Sequence, residues 1–309
     1  MLQAGKKTLA TFKHGPVTFL SLLYNIALIR SVIKWIIRML TGTCQLQRIL
    51  QKCESGTCTV KIEECLRRSK FQQLRRIVEV EPENLDAAVE QIMTIKQIVA
   101  DTNPRFFTML RTCLEQIHGY NKLFVEIEAL RTEKYDCENE EHEKLLLKLW
   151  SLLQPDEPLT CRVSKQWGNI GFQGDDPKTD FRGMGILGLL NLVYFAEHYP
   201  EHAAKSLLHS MHPKYGYSYA IASINITSMS YELMCSGLLR SHFFNTVQGR
   251  PTTEHYHEAF CYLFYEFDKF WMKSEPENVM EFSRIRGEFM KTIQDLLAYL
   301  PTARLLMET

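Results

Sequence analysis

The sequence predicts an all-α protein: a multi-helix globular domain with an amphipathic, basic N-terminal helix. Two observations carry the fold class. Beyond residue 60, apolar residues recur with helical spacing in almost every segment, the pattern of helices that each bury one face. No stretch alternates apolar and polar residues over strand length, and no internal repeat or low-complexity tract is present.

The N-terminal arm comes first. Pro16 to Ile29 is uncharged over 14 residues, short of the roughly 20 that a bilayer-spanning helix needs. Arg30, Lys34 and Arg38 then recur every four residues in an otherwise apolar segment, with Trp35 beside them. On a helix they form one basic stripe. Residues 1–53 carry eight Lys or Arg and no acid. Three readings fit: a helix lying in the plane of an anionic membrane surface, an organelle-targeting presequence, or a core helix whose cations snorkel out. The stripe and the tryptophan favour the first. No small-residue cleavage site follows the run, which argues against a secretory signal.

Glu83–Ala100 places Leu85, Val89, Ile92 and Val99 on one helical face. Asn103-Pro104 supplies a cap and a first-turn proline for a helix through Phe106, Leu110 and Ile117. Gly119 is its candidate end, and Leu123, Ile127 and Leu130 keep the same period beyond it. Thr132–Glu143 is acidic and polar, a boundary before a helix through Leu146, Leu149 and Trp150. Gln154 to Pro158 reads as a turn. Phe181–Phe195 is apolar on every side and therefore buried on every side; Gly185 and Gly188 within it would let a neighbouring backbone come close. Thr227 or Ser228 can cap a helix through Leu239. Thr253–Met272 is strongly aromatic, and Ser274-Glu275-Pro276-Glu277 fits a capping box opening a last amphipathic helix to about Leu297. The chain accordingly divides into an arm (1–53), an N-terminal helical region (54–132), a main domain (133–297) and a tail (298–309).

Composition narrows function by exclusion. Over 309 residues, 36 basic and 36 acidic side chains balance to zero, without the basic excess of a dedicated nucleic-acid binder. Nine cysteines fall at irregular spacing with no Cys-x-x-Cys pair. Free thiols in a reducing, cytoplasmic setting fit this better than a disulfide framework or zinc ribbon, although Cys44, Cys53, Cys58 and Cys65 cluster along the chain. There is no phosphate-binding Gly-x-x-x-x-Gly-Lys-Ser/Thr loop, no Gly-x-Ser-x-Gly elbow and no His-Glu-x-x-His helix. His255 and His257, two apart on a helix, face different directions and do not converge on one ion. No metal and no cofactor is expected.

The most informative stretch is 167–188, Trp-Gly-Asn-Ile-Gly-Phe-Gln-Gly-Asp-Asp-Pro-Lys-Thr-Asp-Phe-Arg-Gly-Met-Gly-Ile-Leu-Gly. A loop with glycine, paired acids and a proline leads into Thr179-Asp180-Phe181-Arg182-Gly183 and then an apolar helix. Asp175, Asp176 and Asp180 have the chemistry to hold magnesium or to divide acid and base roles, but no nucleophile or histidine accompanies them in the loop. Asp180, with Thr179 as the alternative, is in the first instance an N-cap for the helix that follows. Arg182 has two readings. In one it bridges to Asp175, Asp176 or Asp180 and fixes the loop. In the other its permanent charge and rigid fork of donors serve a phosphate. Beside the γ-phosphoryl group of bound GTP such an arginine stabilises the developing transition-state charge, worth roughly a thousandfold to a hundred-thousandfold in rate.

Trp167-x3-Gly171-Phe172-Gln173-x3-Pro177-x-Thr179-Asp180-Phe181-Arg182-Gly183-x-Gly185, followed by Leu189, Leu192 and Phe195, resembles the signature of the ELMO (engulfment and cell motility) domain. Lys34-Trp35, Leu40-Thr41-Gly42, Cys44 to Ile49, and Tyr265 to Trp271 extend the resemblance to the small ELMO domain-containing proteins over nearly the whole chain, with 133–297 as the domain itself. The resemblance implies an all-helical fold and GTPase-activating activity toward GTP-bound Arf-family and Arf-like small GTPases, with Arg182 the catalytic residue supplied in trans. Larger engulfment proteins carry the domain as a scaffold, so a non-catalytic scaffold or effector for membrane-associated GTPases stands as the alternative. The resemblance also implies a cytoplasmic protein held peripherally at mitochondria, lipid droplets, Golgi or ER. Gln173 would orient the attacking water or hold the loop, and Asp176, Thr179 and Asp180 would support Arg182. Trp167, Phe172 and Phe181 would pack, with Gly171, Pro177, Gly183 and Gly185 shaping the turns.

Overall fold

The computed structural model describes residues 27–52, 55–99 and 103–307; the uncharged run from Pro16 as far as Ile26, and Cys53, lie outside the described residues. The helices are α1 (Ala27–Thr41), α2 (Gln45–Lys52), α3 (Ser55–Arg67), α4 (Gln72–Glu79), α5 (Leu85–Lys96), α6 (Phe106–Thr132), α7 (Glu140–Leu153), α8 (Gly185–His198), α9 (Pro200–Ser210), α10 (Tyr219–Cys235), α11 (Leu239–Thr246), α12 (Thr253–Ser274) and α13 (Phe282–Ala298). Short 3-10 turns cover Lys165–Ile170 and Pro177–Arg182. No strand occurs among the described residues, and the expected all-α class is what forms.

The apolar segment after the motif becomes α8, the hub of the molecule. It packs against α6, α7, α9, α10, α12 and the 3-10 turn Pro177–Arg182. Leu187, Leu189, Leu192 and Phe195 are wholly buried; each such side chain stabilises the fold by about 1.5–3 kcal/mol. Asn191, buried in α8, donates to the Thr227 hydroxyl at 3.0 Å and pairs with His257 Nδ1 at 2.7 Å, so these three buried side chains satisfy one another. Burial lowers the His257 imidazole to about 4, with the charge of His198 acting in the same direction.

Several helix ends differ from those the sequence predicts, in most cases because side chains with capping chemistry are engaged elsewhere. Asn103 donates back to the Val99 carbonyl at 3.2 Å, and α6 starts at Phe106 after Arg105. α6 then runs through Gly119 to Thr132. A Cβ at Gly119 would stand 2.8 Å from Arg250 Cα and 2.9 Å from Pro251 Cδ, so that glycine serves a close crossing, not a helix end. Thr227 lies buried inside α10, and a separate helix, α11, carries Leu239. Ser274 closes α12, its hydroxyl donating to the Phe270 carbonyl at 2.8 Å, and Glu275 turns left-handed at φ 44. The capping box belongs instead to the start of α12, where Thr252 N donates to His255 Nδ1 at 3.1 Å. α13 opens at Phe282, after a 3-10 turn capped by Asn278. His255 and His257 thus serve separate partners.

In α1 the core-helix reading does not hold. Val32, Trp35, Ile36, Met39 and Leu40 stand exposed, Trp35 at 63% and Leu40 at 81%. Arg38 is turned toward the body: its Nη2 donates to the Lys96 carbonyl at 3.1 Å and to Gln97 Oε1 at 3.2 Å. No helix among the described residues is long and apolar enough to cross a membrane.

Candidate functional site

The motif loop rests on a ladder of aromatic rings. Trp150 of α7 meets Trp167 edge-on at 5.4 Å, Trp167 meets Phe172 at 5.8 Å, Phe172 meets Phe181 at 5.6 Å, and Phe181 meets Tyr135 at 5.3 Å. Such contacts contribute about 0.5–1.5 kcal/mol each beyond the area they bury. The indole N–H groups are satisfied locally: Trp167 donates to the Arg162 carbonyl at 2.9 Å and Trp150 to the Glu157 carbonyl at 2.7 Å. Trp167, Phe172 and Phe181 therefore pack, as expected, and they fix both ends of the loop.

Two glycines let backbone come within touching distance. At Gly171 a Cβ would lie 2.2 Å from Tyr219 N. Gly185 takes φ +54, and a Cβ there would meet the carbonyls of Glu133 and Arg131 at 2.3 and 2.4 Å. Through that contact Ile186 N donates to the Glu133 carbonyl at 2.8 Å, which satisfies a first-turn amide of α8. Gly188 has only side-chain neighbours, the nearest at 3.5 Å, so it admits no backbone.

The expected capping roles shift. α8 is preceded by Met184, without a side-chain cap, because Asp180 and Thr179 lie inside the 3-10 turn. The Asp180 carboxylate instead accepts from Gln173 N at 2.8 Å, and the Thr179 carbonyl accepts from Arg182 Nε at 2.8 Å. Asp176 caps the 3-10 turn by accepting from Lys178 N at 3.1 Å, with Pro177 buried at its first position. Burial raises the Asp180 carboxyl above its ordinary value, against the Gln173 N–H and the Arg182 charge. For Asp176, burial is outweighed by the Lys178 N–H and by Arg162, and the carboxyl sits below its ordinary value.

Arg162, which the sequence reading passed over, is the strut under the loop. Its Nε donates to Glu143 Oε2 of α7 at 2.5 Å and its Nη1 to Asp176 Oδ1 at 3.0 Å. Nothing in local spacing marks it, since Glu143 lies 19 residues upstream.

Arg182 makes no ion pair with Asp175, Asp176 or Asp180 among the described residues. The side chain is exposed; Nε is held by the Thr179 carbonyl and neither terminal nitrogen has a hydrogen-bond or ion-pair partner among the described residues. The salt-bridge reading is thereby corrected: Arg162 and Lys178, not Arg182, hold Asp176. The three acids do not converge, as Asp176 faces Arg162, Asp180 faces Gln173 N, and exposed Asp175 uses its carbonyl to accept from Ser164 N. No cluster of potential metal ligands forms among the described residues. Gln173 stands exposed on the same loop. Gly183, next to the arginine, has an ordinary φ of −82 and open space where a Cβ would lie; the fold itself does not require glycine there.

Chemically, this arrangement is a preorganised cation with two free donor nitrogens above a rigid base, suited to a partner's phosphate oxygens. Comparison with known proteins agrees with the motif. Residues 125–286 match the ELMO/CED-12 family. The chain is 51% identical over 264 residues to ELMO domain-containing protein 2 of Mus musculus, covering 85% of this chain and 90% of that one. It is 47% identical over 279 residues to ELMO domain-containing protein 1 of Pongo abelii, covering 84% and 86%. With ELMO domain-containing protein B of Dictyostelium discoideum identity is 34% over 265 residues, covering 84% and 91%. This chain belongs to the ELMO/CED-12 family.

Proposed function

We propose that the protein is a GTPase-activating protein for a GTP-bound Arf-family or Arf-like small GTPase, with Arg182 completing the partner's active site in trans. One observation carries the reading: Arg182 is exposed and anchored through Nε alone, so its two terminal nitrogens meet the partner without first breaking an ion pair. A guanidinium placed beside the γ-phosphoryl group stabilises the charge that grows on its oxygens. Gly183 supports the reading, since a residue without a side chain beside the finger lets the partner's surface approach. Gln173 lies on the same exposed loop and helps orient the attacking water or the loop. The arm attaches the protein peripherally to an anionic membrane on the cytoplasmic face of an organelle, where such GTPases are held.

The test is single-turnover GTP hydrolysis by a panel of Arf-family proteins with wild type and Arg182→Lys. Lysine keeps the charge but loses the fork. Binding persists while stimulated hydrolysis falls by at least about a hundredfold. If no GTPase is stimulated although one binds, the protein is a scaffold or effector. If lysine leaves stimulation intact, Arg182 is not the finger.

A further inference from the structure

We infer that the cleft between α1 and the ends of α3 and α5 is a headgroup site for phosphorylated anionic membrane lipids. The inference rests on the membrane attachment proposed above and is independent of the Arg182 chemistry. The cleft is an open groove of about 540 Å³. Lys34, Arg38, Arg68, Lys70 and Lys96 line it, and no acidic side chain does. Arg68 is already paired with Glu64 at 2.8 Å, both half exposed. Lys70 and Lys96 converge on the half-exposed Phe71 ring, their ammonium groups 5.1 and 5.4 Å from its centroid. The ring attracts each ammonium group, which holds both cations at the wall of the groove.

The groove adjoins the exposed apolar face of α1. Trp35 stands at the seam, lining the groove while 63% exposed, and Val32, Ile36, Met39 and Leu40 continue the face. An apolar stripe beside a cationic groove is the geometry of an interfacial helix: the stripe enters the acyl boundary while the groove takes phosphate. Charge complementarity selects this occupant over others. Residues 1–26 of the chain carry Lys6, Lys7 and Lys13 and no acid, so they do not complement the groove. A second copy docked two-fold on this face would bring the same cations against it.

Flotation of the full chain with vesicles tests the site, using phosphatidylcholine alone, phosphatidylcholine with phosphatidylserine, and phosphatidylcholine with phosphatidylinositol bisphosphate at matched surface charge. Binding should be weakest to the neutral vesicles and tightest to the phosphorylated lipid. Each basic residue near an anionic bilayer contributes about a fivefold factor, so Lys70→Gln with Lys96→Gln should weaken binding roughly thirtyfold. The same pair should abolish the preference for the phosphorylated lipid. Leu40→Ser should weaken binding to both anionic vesicles alike and keep the preference. If the pair fails to fold, exposed Lys70→Gln alone should cost about fivefold. Equal binding to the two anionic vesicles, or unchanged binding by a folded charge variant, overturns the headgroup site. Failure to bind any vesicle overturns the membrane attachment as well. Arg182→Lys should bind vesicles as wild type does, which separates this result from the hydrolysis assay.

Discussion

Arg162→Met removes the strut under the motif loop while keeping most of the side chain's packing volume. Arg162, Glu143 and Asp176 are 25%, 21% and 23% exposed, with Arg162 donating to Glu143 at 2.5 Å and to Asp176 at 3.0 Å. Breaking a fully buried pair costs about 3–5 kcal/mol, whereas a solvated pair contributes about 0–1 kcal/mol. At a quarter exposure, and with two carboxylates left facing each other, the loss should be about 2 kcal/mol. For a chain of this length that is roughly 3 °C in Tm. The aromatic ladder remains, so the variant should fold. Asp176, however, loses the bond tying the 3-10 turn to α7. A displacement of about 1 Å at a reacting centre costs on the order of a hundredfold, so stimulated hydrolysis should fall at least about tenfold well below the Tm, with GTPase binding retained. The assays are a calorimetric melt and single-turnover hydrolysis on the same preparations. Combining Arg162→Met with Asp176→Asn should cost less than the sum of the two, by about 1 kcal/mol, because each alone breaks the same bond. If Arg162→Met melts and activates like wild type, the ladder alone holds the loop and the strut argument is wrong.

Neighbouring glycines should respond oppositely. Gly183→Ala meets open space at ordinary φ and should be neutral or stabilising by up to about 1 kcal/mol; it should nevertheless lower stimulated hydrolysis, and unchanged activity would remove the close-approach role. Gly185→Ala puts a methyl 2.3 Å from the Glu133 carbonyl at φ +54 and should destabilise by at least about 3 kcal/mol, read as a lowered Tm; a wild-type melt refutes it. Burial holds His257 near 4 and His242 near 3 against an ordinary 6.5, with His198 and His255 respectively adding to the lowering. Between those values the unfolded chain binds protons that the folded chain does not, so stability present above pH 6.5 is lost as pH falls. At pH 5 each ring should cost about 2 kcal/mol relative to pH 7. The midpoint of urea unfolding should fall accordingly, and His257→Asn should remove about half of the dependence; a midpoint unchanged from pH 7 to pH 5 contradicts it.

What could be read in the chain was what depends on local order. The period of apolar residues carries α6, an unbroken apolar run carries α8, and the 167–188 stretch carries the loop, because ring, proline and glycine positions that build a turn lie close together in sequence. Helix ends were harder. Asn103, Thr227 and Ser274 all have capping chemistry, yet each hydrogen-bonds elsewhere: to Val99, to Asn191 and to Phe270. Gly119 looks like a stop because a glycine weakens a helix, but its demand comes from Arg250 and Pro251, more than a hundred positions away. Arg162 was invisible for the same reason, its value residing in Glu143 and Asp176 rather than in its neighbours. Long-range partners decide such residues, and spacing does not encode them.

The anchoring of Arg182 through one nitrogen has a physical logic that a salt bridge would lack. A carboxylate partner would satisfy the terminal fork and would have to be displaced before a phosphate could be met, at the cost of the charge-assisted bonds. An arginine with no anchor would keep its fork free but would lose rotamer entropy on docking, about 0.5–1.5 kcal/mol for such a side chain. The Thr179 carbonyl would avoid both costs: it holds Nε at 2.8 Å, directing the stem, and both terminal nitrogens stay without a partner among the described residues. Asp180 is spent on Gln173 N and Asp176 on Arg162 and Lys178, so neither nearby acid competes for the fork. The acids of the loop therefore act by being occupied, and the free cation follows from that occupation.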